Sequence, residues 1–154
     1  MTKAEETYLF LLQSVDFLND SLDILVELKS NKTTPILFNA AFRYALVEYS
    51  KPFGATNGLL KKTNGEPNRI KYDLKRFISQ DKLKLHQKII DSRNQFHAHG
   101  DMSILDAEVY VHDEINDKIV TVTKNYVHGS QEFKNIDDLL ELIEGALNNM
   151  EKEL

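Results

Sequence analysis

Leu11, Val15, Leu18, Leu22 and Leu25 recur at alternating intervals of four and three residues, which places all five on one stripe of a long α-helix. A lone helix cannot hide such a stripe, so it must pack against others in a bundle. Residues 31–35 break the pattern. Thr33 or Thr34 can accept a backbone amide as an N-cap, and Pro35 suits the first turn of a second helix. That helix is expected to run to about Ser50 with Leu37, Ala40, Ala41, Tyr44 and Val47 facing inward, until Pro52 and Gly54 end it.

Gly54, Gly58 and Gly65, with Pro52 and Pro67, punctuate residues 51–67, and a mobile basic loop is expected there. From about Asn68 the spacing of Ile70, Leu74 and Phe77 predicts a third helical region. It carries an irregularity near Ser79, resumes with Leu85, Ile89 and Phe96, and ends over 97–100. The period then changes. Segments 107–112 and 118–123 are rich in Val, Ile, Tyr and Thr around Asn116 and Asp117, which reads as a β-hairpin. Two strands are marginal alone and must lean on the helices or on a second subunit. Asn135 can cap a last helix carrying Ile136, Leu139, Leu140, Ile143 and Leu147. The expected architecture is mainly α: one domain over 1–154, a four-to-five-helix bundle with a small hairpin at about 107–124 before the last helix.

Composition narrows the chemistry. The 154 residues include no cysteine, which excludes disulfide scaffolds, thiolate zinc sites, iron–sulfur clusters and cysteine nucleophiles. The apolar run at 8–12 follows Glu5 and Glu6 and is too short for a membrane span or a secretory core. A cytoplasmic protein without a membrane partner is the expectation. The formal charge of -5 hides a polarity: blocks 1–50, 51–88 and 89–154 carry -3, +7 and -9. The basic block can hold a phosphate backbone even though the whole is acidic. Its candidates for an RNA footprint are Lys61, Lys62, Arg69, Lys71, Lys75, Arg76, Lys82 and Lys84. Of the aromatics nearby, Tyr44 and Phe77 match apolar stripes and read as core, whereas Tyr49, Phe53 and Tyr72 are candidates for stacking on bases.

The densest chemistry lies at 92–101, where Arg93, Asn94, His97 and His99 gather at the expected end of the third helical region. On a continuous helix Arg93 neighbours His97 and lies about 40° from Ile89, at the edge of the core. A histidine at a helix C-terminus can also simply bond the last carbonyls. Arginine stays charged and offers phosphate a two-pronged donor, while an imidazole with a pKa near 6.5 exchanges protons near neutrality.

An Arg followed by Asn, four residues and a His resembles the RNx4-6H motif of the HEPN superfamily (higher eukaryotes and prokaryotes nucleotide-binding), filled here by Arg93, Asn94 and His99. The order of long helices resembles the HEPN bundle over most of the chain. The resemblance implies a homodimer that joins two motifs in one composite cleft and acts as a metal-independent endoribonuclease without a cofactor, in a toxin–antitoxin or phage-defence setting. Arg93 then contacts the phosphate and transition state, His99 transfers a proton or positions the leaving group, and Asn94 orients. His97, too close to Arg93 for the motif, is an accessory candidate. The resemblance equally allows an inactive module that binds RNA, nucleotide or protein, with an antitoxin or a nucleotidyltransferase as partner. A more distant alternative is metal held by His97 and His99 with Asp91, Asp101 or His86. His112 and His128 read as surface or packing residues, and no dinucleotide fingerprint, P-loop or nucleophile elbow occurs.

Overall fold

Thr2 opens the first helix, α1 (Lys3–Ser30), in a computed structural model that describes residues 1–93, 107–112, 119–124 and 136–154. Its hydroxyl accepts the Glu5 amide at 3.2 Å while the Glu5 carboxylate accepts the Thr2 amide at 2.7 Å, a reciprocal cap that satisfies two orphan donors. Leu11, Leu18 and Leu25 of the expected stripe are buried, and Val15 and Leu22 pack half-buried against the core. Ser14, Ser21 and Leu28 complete that face. Small residues admit a close helix: the Ser21 hydroxyl donates to the Ala45 carbonyl of the second helix at 2.8 Å.

That helix, α2 (Pro35–Ser50), is capped by Thr34, whose hydroxyl accepts the Leu37 amide at 3.4 Å. Its inward face differs from the expected one. Phe42, Ala45, Leu46 and Tyr49 are buried, with Phe38 packed beside them, whereas Leu37, Ala40 and Tyr44 face outward and Ala41 and Val47 are half-buried. Two apolar stripes lie side by side on α2, about one residue step apart. The stripe with the larger rings wins, because it removes more apolar area from water.

Residues 51–67 are not a loop. A 3₁₀ turn (Lys51–Phe53) leads into β1 (Thr56–Lys61), which pairs antiparallel with β2 (Pro67–Ile70) in the register Thr56↔Ile70 and Asn57↔Arg69. Gly65 makes the turn at a φ of 84°, a conformation without penalty for glycine, and Pro67 begins its strand, where no ladder donor is lost. Ile70 therefore belongs to a strand, and Leu74 opens a 3₁₀ turn (Leu74–Arg76). The third helix, α3 (Gln80–Ser92), starts only at the irregularity near Ser79, whose hydroxyl accepts the Lys82 amide at 3.5 Å.

The second hairpin is as expected, with β3 (Ala107–His112) antiparallel to β4 (Ile119–Lys124) and Val109 opposite Val122. The last helix, α4 (Ile136–Glu153), buries Ile136, Leu139, Leu142, Ile143, Ala146, Leu147 and Met150. The expected cap Asn135 lies outside the described residues. α1 packs against both α2 and α4. Lys29 of α1 and Asp137 of α4 form an ion pair, and Lys82 of α3 reaches Glu141 at 2.8 Å. The described residues thus form a mainly helical bundle with four α-helices, one hairpin between α2 and α3 and a second before the last helix. No helix among them is long and apolar enough to cross a membrane.

Candidate functional site: a cleft between the first helix and the first hairpin

Beside its leucine stripe, α1 carries a second line of residues, Glu6, Phe10, Gln13 and Phe17, at intervals of four, three and four. Glu6 anchors the first hairpin to it. Its carboxylate is buried and accepts the Leu60 amide at 2.6 Å. Gly58 allows this approach, since a Cβ there would stand 2.5 Å from Glu6 Oε1 and 3.0 Å from Ile70 Cδ1.

Between this line and the segment from Ser50 to Thr56 lies a cleft of about 440 Å³. Phe10, Gln13 and Phe17 line it from α1, Lys51, Pro52 and Thr56 from the segment after α2, and Arg93 from the end of α3. A smaller cavity of about 150 Å³, lined also by Glu6 and Gly58, shares Phe10, Gln13 and Thr56 with it. The Lys51 ammonium donates to both oxygens of the buried Glu48 at 2.6 Å and lies 4.3 Å from the centre of the Phe17 ring. Glu48 also receives Tyr44, whose hydroxyl is pushed above its ordinary pKa by that hydrogen bond and by the carboxylate charge. Lys51 is therefore held in place and largely neutralised.

Arg93 stands just past α3, half-buried, its amide donating to the Ile89 and Ile90 carbonyls. The expected position at the edge of the core is the one it takes. Asn94, His97 and His99 lie outside the described residues, as do His128 and Asp101. Of the basic candidates, Lys61, Lys62, Arg69, Lys71, Lys75 and Lys84 are exposed and Lys82 is half-buried, while the Arg76 side chain lies outside the described residues. Three of them meet carboxylates: Lys62 with Glu66 at 3.8 Å, Lys82 with Glu141 at 2.8 Å and Lys84 with Asp81 at 3.6 Å.

The aromatic expectations are reversed. Tyr49, Phe53 and Tyr72 are buried, whereas Tyr44 and Phe77 are 54% and 43% exposed. Tyr49 and Phe53 pack against His86, and Tyr72 packs beside Phe53. The His86 ring meets Phe53 edge-on at 4.7 Å, and its Nδ1 shares a hydrogen bond of 2.8 Å with the Tyr49 hydroxyl. Burial lowers the His86 pKa to about 4; the Lys75 cation adds to this and Asp73 opposes it. This imidazole is neutral at pH 7 and already engaged. Among the described residues no three His, Asp or Glu side chains gather to hold a metal.

No family model, curated protein or solved structure matches this chain. The chemistry of the cleft must therefore be read from its own residues. Two aromatic rings, an amide, hydroxyls and a guanidinium suit a ligand with a flat apolar body and an anionic end. The described lining holds no histidine, so proton transfer there would need groups from outside it. Phe10, Gln13, Phe17 and Lys51 were not among the sequence-derived candidates. The signal for the first three is the second line on α1, overshadowed by the stronger leucine stripe; Lys51, in the turn after α2, has no such signal.

Proposed function

We propose that this chain is a HEPN-like, metal-independent endoribonuclease that works as a homodimer in a toxin–antitoxin or phage-defence setting. The observation that carries the reading is the position of Arg93: the first residue of the Arg93–Asn94–x4–His99 motif lines a cleft whose other lining residues suit a nucleotide. RNA cleavage by the neighbouring 2′-hydroxyl requires charge stabilisation on the phosphate oxygens and movement of protons. Arg93 supplies the first, and His99 is assigned the second, with Asn94 orienting and His97 accessory. The exposed basic side chains of the first hairpin and the turn after it would draw the phosphate backbone in.

The test is incubation of the purified protein with single-stranded and structured RNA in excess chelator, beside Arg93→Ala and His99→Ala. Cleavage that survives chelation and disappears in both variants supports the nuclease. Absence of cleavage overturns it in favour of a catalytically inactive binding module. A strict monomer at high protein concentration would overturn the composite site of two copies.

A further inference from the structure

Resting on the RNA reading above, we propose that the cleft between α1 and the first hairpin seats a single nucleotide of the substrate, its base against Phe10, its base edge at Gln13 and its phosphate at Arg93. The cleft of about 440 Å³ falls within the roughly 300–1,000 Å³ typical of small-ligand sites. Phe10, Gln13 and Thr56 line both it and the smaller cavity beside it, so a ligand placed on them adjoins both. Phe17 already carries the Lys51 ammonium on its ring, which leaves Phe10, half-buried, as the stacking surface. Gln13 is exposed on the same line of the helix. Its amide both donates and accepts, as recognition of a base edge requires.

Charge sorts the two cations of the cleft. The Lys51 ammonium is bound by both oxygens of Glu48, so it braces the wall more than it attracts an anion. Arg93 has five N–H donors in a fixed fork and can keep a protein partner while still receiving a phosphate. The rise from Phe10 to Phe17 is about 10 Å along α1. One stacking ring and one guanidinium lining a single cleft fit one unstacked nucleotide, and a base must leave its duplex to enter. The site therefore selects unpaired over duplex nucleotides.

The experiment is fluorescence anisotropy of a 5′-fluorescein-labelled single-stranded RNA on the full chain, with nucleoside 5′-monophosphates, ribose 5-phosphate and inorganic phosphate as competitors. Phe10→Ala and Gln13→Leu are the cleft variants, the second at an exposed position where folding is least disturbed, and the cleavage assay runs alongside. Nucleoside monophosphates are expected to compete at least tenfold better than the baseless competitors, and Phe10→Ala is expected to weaken RNA binding by about tenfold or more. Gln13→Leu is expected to narrow the differences among the four nucleotides. Cleavage that depends on Arg93, with binding and KM unchanged in both cleft variants, overturns this placement and leaves the nuclease reading intact. Nucleotide binding lost in the variants of a protein that cleaves nothing supports the placement and overturns the nuclease. Phosphate competing as well as the nucleotides, or no binding of any probe, overturns the placement.

Discussion

The Tyr49 hydroxyl and His86 Nδ1 stand 2.8 Å apart in the interior and join α2 to α3. Phe53 closes the pair from the side, its ring 5.0 Å from Tyr49 and 4.7 Å from His86. Burial raises the Tyr49 pKa well above its ordinary value and lowers that of His86, so both are neutral and the hydrogen bond between them needs no counter-ion.

Stability is predicted to fall on acidification. The folded state holds the His86 pKa at about 4, against an unfolded value near 6.5. Above pH 6.5 both states are neutral. Between about 6.5 and 4 the unfolded chain takes a proton that the folded one refuses, which removes up to roughly 3 kcal/mol of stability. Urea midpoints at pH 7.5, 5.5 and 4.5 measure this, and His86→Leu is expected to flatten the slope in that window. An unchanged slope in the variant would place the effect elsewhere.

Neighbouring residues on α2 are predicted to differ sharply. Phe42 is fully buried and Tyr44 is 54% exposed. Phe42→Ala is expected to cost about 3–5 kcal/mol of unfolding free energy, and Tyr44→Ala less than about 1 kcal/mol. Equal losses in chemical denaturation would contradict the observed face of this helix.

How legible the fold was depended on how many answers each segment allowed. On α1 only one stripe is dominated by leucine, and its burial matches the pattern. On α2 the Leu37–Tyr44 line and the Phe42–Tyr49 line are both apolar, and periodicity cannot choose between them without the partner helix. β1 reads TNGLLK, with one β-branched residue and a glycine, so local propensity pointed to a loop. It is a strand because it pairs with β2 and is anchored on α1 by Glu6, which accepts the Leu60 amide from 54 residues away. The site divides in the same way. Arg93 was visible as part of a local motif, whereas the pairing of Phe10 and Gln13 with Thr56 arises from a contact between distant segments that no spacing encodes.

The fit of the hairpin on α1 gives a coupled prediction. A methyl group at Gly58 would stand 2.5 Å from Glu6 Oε1, and that oxygen cannot move away without losing the Leu60 amide. Gly58→Ala is expected to destabilise by about 1–3 kcal/mol. In a Glu6→Ala background the same change is expected to cost at least about 0.5 kcal/mol less. Additive losses in the double-mutant cycle would mean that Ile70, at 3.0 Å from the same position, is the true obstruction.

The basic side chains are predicted to contribute unequally to RNA binding. Lys71 and Lys75 are exposed beyond the first hairpin, whereas Lys82 is held by Glu141 at 2.8 Å. A lysine already neutralised by a carboxylate gains less from a phosphate, because the first partner must be given up. On single strands each phosphate contact adds about 0.7 to the slope of log K against log salt. Anisotropy titrations from 50 to 200 mM KCl are expected to show Lys71→Ala and Lys75→Ala each lowering that slope by about 0.7, and Lys82→Ala by clearly less. If Lys82→Ala changed the slope most, the nucleic acid would be lying across α3 and α4, and the path past the first hairpin would be wrong.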